Sequence, residues 1–119
     1  MTTSLKELTV GEVAAEAEVA PSAVRFYDRH GLITAARTSG NQRRFTPTAP
    51  CLIRVAKVAQ RVGLSVREIA HLFASLPEEP APEDWDRVAT ALIEEAQGRV
   101  DALRDTLDDL GSGTKLCQL

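Results

Sequence analysis

Apolar residues recur along most of the chain at the three- and four-residue spacing of an amphipathic α-helix. The first such stretch opens with TVGE at 9–12, which has the form of a capping box and predicts a helix that ends near Glu18. Pro21 suits the first position of a second helix, and Gly31 provides a stop after it. Two short helices joined by a tight turn predict a helix-turn-helix.

A turn-rich segment, RTSGNQRRF at 37–45, follows the second helix. The apolar residues on its two sides, in Leu32-Ile33 and in Arg44-Phe45, predict two short strands around a loop. Gly40 and Asn41 permit tight backbone turns, including left-handed conformations. The pattern therefore predicts the wing of a winged helix-turn-helix.

A third helix is predicted to begin with Thr46 as its N-cap and Pro47 at its first position, and to end at Gly63. Small and aliphatic residues of this stretch recur at helical spacing. The residues predicted to line one face of the helix are Leu52, Val55, Ala56, Ala59 and Val62.

A second capping box, SVRE at 65–68, opens a fourth helix that continues through Phe73. The winged helix-turn-helix domain, with these supporting helices, is predicted to span residues 1–76. The proline- and glutamate-rich segment that follows breaks the helical pattern, and we interpret residues 77–83 as a linker.

Apolar residues within 84–110 recur alternately every three and four residues, and the opposite face is rich in charge. This heptad seam predicts a mainly α-helical coiled-coil segment about 40 Å long. So narrow a seam stabilises a single helix poorly, so the helix needs a partner. The preferred partner is a second copy of the chain, and the alternative is the helix's own domain. The seam residues, predicted to form a dimer interface, are Ala89, Ile93, Ala96, Val100, Leu103, Leu107 and Leu110. Residues 111–119 are predicted to form a flexible tail.

The composition fits one small domain with an appendage, because the chain has 119 residues, of which 44% are hydrophobic and 26% charged. Aromatic residues make up only 4%, so the core must be aliphatic. No apolar run approaches the roughly 18 to 20 residues of a membrane span, and the first residues lack the apolar segment of a signal peptide. These features predict a cytoplasmic protein without a membrane partner.

Charge is divided unevenly along the chain. Residues 1–63 hold nine Lys or Arg and five Asp or Glu, whereas residues 64–119 hold five and twelve. The two parts therefore carry net charges of +4 and −7. Between Arg25 and Arg61 there are eight basic residues and a single acid, Asp28. A basic module joined to an acidic one predicts a polyanionic partner for the basic module.

The second helix of a helix-turn-helix enters the major groove of DNA. On this helix Arg25 and Arg29 are four residues apart and share a face, and Ser22 lies one turn earlier. Arginine can read guanine or hold a phosphate, and the Tyr27 hydroxyl can donate to a phosphate. The alternative is a solvated helix face with a tyrosine in the core.

In the predicted wing, Arg37, Asn41, Arg43 and Arg44 are candidate DNA-binding residues because they supply charge and hydrogen bonds to phosphates. Neighbouring strand residues face opposite ways. One member of the adjacent Arg43 and Arg44 pair is therefore expected to point inward and brace the wing.

These motifs resemble the MerR family of transcription regulators. The matching segments are GEVA in the first helix, VRFYD-x-x-GLI, R-x-SGNQRRF, and VAKVAQRVGLSVREIAHLF, followed by the long helix. SGNQRRF, KVAQRVG and Trp85 are most similar to the superoxide-response (SoxR-like) branch. The resemblance implies DNA contacts by Arg25, Tyr27, Arg37, Asn41 and Arg43.

The same resemblance implies a homodimer with an antiparallel coiled coil that binds a palindromic promoter element. Members of the family bend and untwist an overlong spacer so that RNA polymerase engages both of its contact boxes. The polymerase is therefore expected to be an indirect partner, reached through promoter DNA.

The SoxR-like branch holds an iron–sulfur cluster with four cysteines after the long helix, whereas LDDLGSGTKLCQL contains only Cys117. We therefore expect no iron–sulfur cluster, no other cofactor and no metal site. Cys117 is a candidate sensor, as a redox-reactive thiol or as a soft-metal ligand with a partner such as Cys51. The alternatives are an ordinary tail cysteine and a longer natural tail. Cys51 itself is expected to be a small buried residue of the third helix.

Two other function classes compete with a DNA-binding regulator. In a protein–protein adaptor the coiled coil would bind a partner, and the basic wing would be incidental. An enzyme is not expected, because the sequence shows no nucleophile with a base and no cofactor fingerprint.

Overall fold

The computed structural model describes residues 7–38 and 40–119, so the predictions for residues 1–6 and for Ser39 in the wing lie outside the described residues. In chain order the elements are α1 Val10–Ala17, α2 Pro21–Arg29, β1 Ala35–Arg37, β2 Arg43–Phe45, α3 Ala49–Val62, α4 Val66–Phe73, α5 Pro82–Leu110 and a 3-10 turn Leu116–Gln118. This mainly α architecture, with a wing and a long C-terminal helix, confirms the predicted fold class. No helix in the described ranges is long and apolar enough to cross a membrane.

The predicted capping box opens α1. The Thr9 amide donates to Oε1 of Glu12 at 2.9 Å, and the Glu12 amide donates to Oγ1 of Thr9 at 3.1 Å. These two bonds satisfy amides that the first turn of a helix otherwise leaves unpaired. The helix ends where Glu18 adopts a left-handed conformation with φ 59°.

Helix α2 begins with Pro21 at its first position, as predicted. Its C-terminal end is followed by Gly31, whose φ of +80° is a conformation that other residues rarely adopt. The Leu32 amide then donates to the carbonyl of Tyr27 at 2.9 Å. This backward bond terminates the helix and directs the chain toward the wing.

The wing is a two-stranded antiparallel hairpin in which Ala36 lies opposite Arg44 and Arg37 lies opposite Arg43. The prediction that Leu32-Ile33 forms the first strand was wrong, because these buried residues precede β1 and Leu32 is bonded back to α2. An isolated bridge joins Phe45 to Leu8, with reciprocal amide–carbonyl bonds of 2.7 and 2.8 Å. The bridge attaches the wing to the segment that leads into α1.

The start of α3 differs from the prediction, because the helix begins at Ala49 and its N-cap residue is Thr48. The Ala49 amide donates to the carbonyl of Thr46 at 3.0 Å, which closes a separate turn before the helix. Pro47 lies in that turn, and the Thr48 hydroxyl donates to the carbonyl of Glu78 at 3.3 Å. Two prolines so close together gave the sequence two equivalent places to start the helix.

The buried face of α3 is also shifted from the prediction. Ile53, absent from the predicted set, is fully buried beside Ala56 and Ala59. Leu52, Val55 and Val62 are only half-buried. Helix α3 packs against α1 and α4, and this contact decides which of its many apolar residues face inward.

Helix α4 carries the second predicted capping box, in which the Glu68 amide donates to Oγ of Ser65 at 3.1 Å. The core of the first compact unit, which ends at Ala81, is mainly aliphatic, as the low aromatic content predicts. Its largest fully buried side chains are Phe45, Ile53, Ile69, Val13 and Val24.

The second compact unit contains α5 and the tail, Pro82–Leu119. Helix α5 begins two residues before the predicted position, since Pro82 occupies its first turn. Its five large seam residues are exposed by 44% to 69%: Ile93, Val100, Leu103, Leu107 and Leu110. The segment predicted as a flexible tail contains a 3-10 turn at Leu116–Gln118.

Candidate nucleic-acid interface

The outer face of α2 carries the residues predicted to contact DNA. Ser22, Arg25 and Arg29 are exposed, whereas Val24 and Tyr27 on the inner face are buried. Within the described part of the chain, Arg25 and Arg29 make no side-chain hydrogen bond or ion pair. Both guanidinium groups are therefore available to a phosphate or a base edge.

Tyr27 lies at the junction between α2 and α3. It is 6% exposed, and its hydroxyl donates to Oε1 of Gln60 at 2.8 Å. Its ring meets the ring of Phe26 edge to face, with the centroids 5.6 Å apart. Burial raises the pKa of the Tyr27 phenol above its ordinary value of 10.0. The hydroxyl thus has a partner inside the protein, and it must leave Gln60 before it can donate to a phosphate.

The tip of the wing is held by Thr38. Its hydroxyl oxygen accepts from the amides of Gly40 and Gln42 at 3.2 and 3.3 Å, and its own amide donates to the carbonyl of Gln42 at 2.7 Å. Asn41 adopts a left-handed conformation with φ 62°, as its residue type permits. The result is a narrow turn whose backbone is fixed by local hydrogen bonds.

Arg37 reaches across this turn. Its Nη1 donates to the carbonyl of Asn41 at 3.3 Å and to Oδ1 of the same residue at 3.1 Å. Both residues are exposed, so the turn presents a cation and an amide together. Such a pair suits the phosphate backbone of DNA.

Arg43 is the member of the arginine pair that braces the wing. Its Nη2 donates to Oδ1 of Asp28 at 2.8 Å, and its Nε lies 2.5 Å from Oδ2. This ion pair, made of one hydrogen bond and one close contact, links β2 to α2. Arg44 instead donates from Nη2 to Oε1 of Gln42 at 3.1 Å and remains half-buried on the wing.

These elements meet around a cleft of about 430 Å³. Three arginines and one aspartate line the cleft, so its charge is positive. The start of α1 also reaches it, and a helix N-terminus favours anions. Sequence reasoning identified the arginines but missed α1, because its capping box signalled only a helix start. The lining residues are Thr9, Val10, Gly11, Arg25, Asp28, Gln42, Arg43 and Arg44.

A second cleft, of about 510 Å³, lies between the start of α3, α4 and the following segment to Pro80. Its lining includes Thr34, Thr46, Leu52, Phe73 and Glu78, and no arginine or lysine. A lining of this kind does not suit a polyanion. The cationic cleft at the wing is therefore the better candidate for a nucleic-acid interface.

Both cysteines are exposed, so the prediction that Cys51 is buried was wrong. Its neighbours Pro50 and Ile53 take the inward positions at the start of α3, which leaves Cys51 on the outer side. Cys117 lies in the 3-10 turn of the tail. Among the described residues, no three His, Cys, Asp or Glu side chains form a group that could hold a metal ion.

Two family profiles match the chain, and both describe MerR proteins. The profile of the MerR HTH family regulatory proteins matches residues 8–76, and that of the MerR DNA-binding region matches residues 52–112. The chain is 38% identical over 112 residues to the HTH-type transcriptional activator SoxR homolog of Chromobacterium violaceum. This alignment covers 89% of this chain and 76% of the relative. It is also 38% identical over 74 residues to the mercuric resistance operon regulatory protein of Pseudomonas fluorescens, in an alignment that covers 61% of this chain and 51% of that relative.

Solved structures share the fold. HiNmlR, a MerR family regulator lacking the sensor domain and bound to promoter DNA, superposes with a TM-score of 0.58 at 21% identity, over 90% of this chain and 86% of that one. A regulator from Listeria monocytogenes gives a TM-score of 0.56 at 24% identity, over 87% and 80%. The families, the relatives and the fold agree. The chain belongs to the MerR family of DNA-binding transcription regulators, which are not enzymes.

Proposed function

We propose that the protein is a dimeric regulator that binds a palindromic promoter element and distorts the spacer DNA between the two polymerase contact boxes. The observation that carries the proposal is the cationic cleft at which α2, the wing and the start of α1 meet. Phosphates supply most of the affinity of such complexes, and this cleft gathers three arginines from two elements.

Within this proposal, α2 is the recognition helix. Arg25 and Arg29 extend from its exposed face into the major groove, and Ser22 donates to the backbone one turn earlier. Arginine bound to guanine through two hydrogen bonds discriminates against the wrong base by about 1–3 kcal/mol. Arg25 is the stronger candidate for base contact because it also lines the cleft.

The wing supplies the flanking phosphate contacts. Arg37 and Asn41 bind from the fixed turn at its tip, and Arg44 binds from the cleft. Tyr27 and Arg43 are engaged within the protein, so we assign them to the interface as residues that hold α2 in place against α3 and the wing.

Dimerisation is supported by the exposed seam of α5. Large aliphatic side chains along one stripe of a 29-residue helix favour burial against an equivalent stripe. A second copy in the antiparallel orientation of the family would supply that stripe. The resulting twofold dimer presents two copies of the DNA-binding surface, which a palindromic element matches.

Distortion of the spacer follows from family membership together with this twofold geometry. Where the half-sites on straight DNA are spaced differently from the two surfaces, the dimer binds both only if the DNA between them bends or untwists. RNA polymerase then engages the reshaped promoter without requiring contact with the regulator. The proposal places the protein in the cytoplasm with its promoter.

We further propose that this chain works without an iron–sulfur cluster, because it has two cysteines and such a cluster takes four thiolate ligands. A four-thiolate site needs ligands close together. Cys117 remains the candidate sensor, as a thiol that an oxidant or a soft metal reaches directly.

The proposal is tested by selecting duplexes from a randomised pool and measuring affinity for the selected duplex against salt. We expect a dissociation constant of about 10 nM or tighter and a steep salt dependence. Arg25→Ala should weaken binding at least about tenfold, because it removes one arginine contact from each protomer. Lys115→Ala, which removes an equal charge from the tail, is the matched control and should leave affinity unchanged. A dimer that ignores duplex DNA at low salt would favour the adaptor instead.

A further inference from the structure

The single acid between Arg25 and Arg61 lies on the recognition helix and pairs with the wing. We propose that Asp28 determines specificity by holding Arg43, and that Arg43 is a positioning residue and not a phosphate contact. The ion pair fixes the wing at one distance from the recognition helix and withholds one cation from the DNA backbone. This inference rests on the proposed DNA-binding function and concerns how that function discriminates among sequences.

Asp28 and Arg43 meet through one hydrogen bond and a second close ionic contact. Two nitrogens of the Arg43 guanidinium meet the two carboxylate oxygens of Asp28 at 2.8 and 2.5 Å. The side chain of Asp28 is only 13% exposed and that of Arg43 only 33%. The hydrogen bond and the second close contact together hold the Arg43 guanidinium at one position beside α2, which a solvated cation would not keep.

The pair also controls repulsion within the wing. Arg37 lies directly opposite Arg43 across the two strands, and like charges in that arrangement destabilise a hairpin. The carboxylate of Asp28 neutralises Arg43, so the two strands can pair with arginine at both positions. Arg25 and Arg44 line the same cleft as Arg43, and Asp28 is the acid in that lining.

An unpaired carboxylate beside DNA repels the phosphates, and pairing with Arg43 offsets that repulsion for Asp28. Non-specific affinity grows with the number of free cations that displace counterions from phosphates. Specific affinity depends in addition on phosphate contacts that set the register of the recognition helix. Pairing Arg43 with Asp28 lowers the non-specific affinity, because one cation is no longer free. It preserves the specific affinity, because the wing stays in register with α2. The ratio of specific to non-specific affinity therefore rises.

The test compares Asp28→Asn and Arg43→Ala with the wild type. Each protein is titrated, across a series of salt concentrations, with a duplex that the wild type selects from a random pool and with a scrambled duplex of the same composition. Asp105→Asn, on α5, removes the same negative charge elsewhere and is the matched control. Thermal unfolding of each variant establishes that it is folded at the assay temperature.

We expect Asp28→Asn to bind the scrambled duplex severalfold more tightly and to lose about tenfold in the ratio of specific to non-specific affinity. Arg43→Ala should lose affinity for the selected duplex while the slope of log affinity against log salt stays at the wild-type value. Asp105→Asn should change neither the ratio nor the slope.

Two results would overturn the inference. In the first, Arg43→Ala flattens the salt slope by about 0.9 per protomer, which is the signature of a lost phosphate contact. In the second, Asp28→Asn leaves the ratio unchanged. If one variant fails to fold, the other decides the matter alone. Failure of the wild type to bind any duplex would instead reject the proposed function.

Discussion

The hydroxyl of Tyr27 donates a 2.8 Å hydrogen bond to Oε1 of Gln60, and this bond joins α2 to α3. The tyrosine ring is buried, whereas Gln60 lies on the exposed side of its helix. One residue on the surface of α3 is therefore in direct contact with the inner face of the helix that is proposed to enter the major groove. A substitution at Gln60 would remove the hydrogen-bond partner of the Tyr27 hydroxyl.

The burial of Tyr27 predicts a dependence of stability on pH. Its pKa is raised in the folded protein, so the folded state keeps the phenol proton at a pH where the unfolded chain has lost it. The contribution of Tyr27 is complete below pH 10.0 and is lost as the pH rises from 10.0 through the raised value. The free energy of unfolding should fall by up to about 1.4 kcal/mol per pH unit in that interval.

Tyr27 is the single tyrosine of the chain, so ultraviolet absorbance of the phenolate follows its ionisation directly. Urea unfolding at several pH values above 10 should show a steeper loss of stability in the wild type than in Tyr27→Phe. Lysine titration affects both proteins equally and cancels in the difference. Equal pH dependence in the two proteins would contradict a buried phenol.

The capping box at Thr9 makes a prediction about two threonines, Thr9 and Thr46, that the sequence presents alike as helix starts. Thr9→Ala removes the oxygen that accepts from Glu12 and should lower the free energy of unfolding by about 1 kcal/mol. Thr46→Ala should cost less than about 0.5 kcal/mol, because Thr46 precedes the turn before α3 and caps nothing with its side chain. Urea unfolding distinguishes the two. A larger loss in Thr46→Ala would restore the helix start that the sequence favoured.

The wing tip should depend on a single hydroxyl. Thr38→Val keeps the shape of the side chain but removes the acceptor for the amides of Gly40 and Gln42. We expect the global stability to change by less than about 1 kcal/mol, because both amides are exposed and can bond to water. Affinity for the selected duplex should fall by about threefold to tenfold, since the loosened turn must be ordered on binding. Thr34→Val, which changes an exposed threonine before β1, is the control and should bind as the wild type does.

The seam of α5 predicts the oligomeric state. Leu103→Asp places a charge in the proposed interface, where it would be buried without a partner. Sedimentation should show a monomer at micromolar concentration, and circular dichroism should show reduced helicity because an isolated helix with a narrow seam is poorly stable.

Ala102→Asp introduces the same charge one residue away, on an exposed face outside the seam, and should remain dimeric. A dimer that survives Leu103→Asp would show that the seam is not the interface. Dissociation of both variants would mean that added charge, and not its position, is responsible.

Much of the fold could be read directly from local sequence signals. Capping boxes at Thr9 and Ser65, and the glycine that ends α3, fixed helix boundaries because each acts within one turn of its own position. The heptad spacing of α5 likewise predicted a helix with one apolar stripe. The family was readable for the same reason, since its motifs are short and contiguous.

Other features depended on contacts between distant residues, and local pattern could not supply them. The choice of Ile53 for the core of α3 depends on where α1 and α4 pack, and the cationic cleft depends on bringing α1 against the wing. Arg43 and Arg44 are chemically identical neighbours, and only the position of Asp28 on another element determines which one faces inward. The sequence by itself determined the helices, the charge of the wing and the kind of partner, although not every boundary of the elements. The tertiary structure decided which side chains are left free to meet that partner, because pairing and burial are properties of neighbours in space.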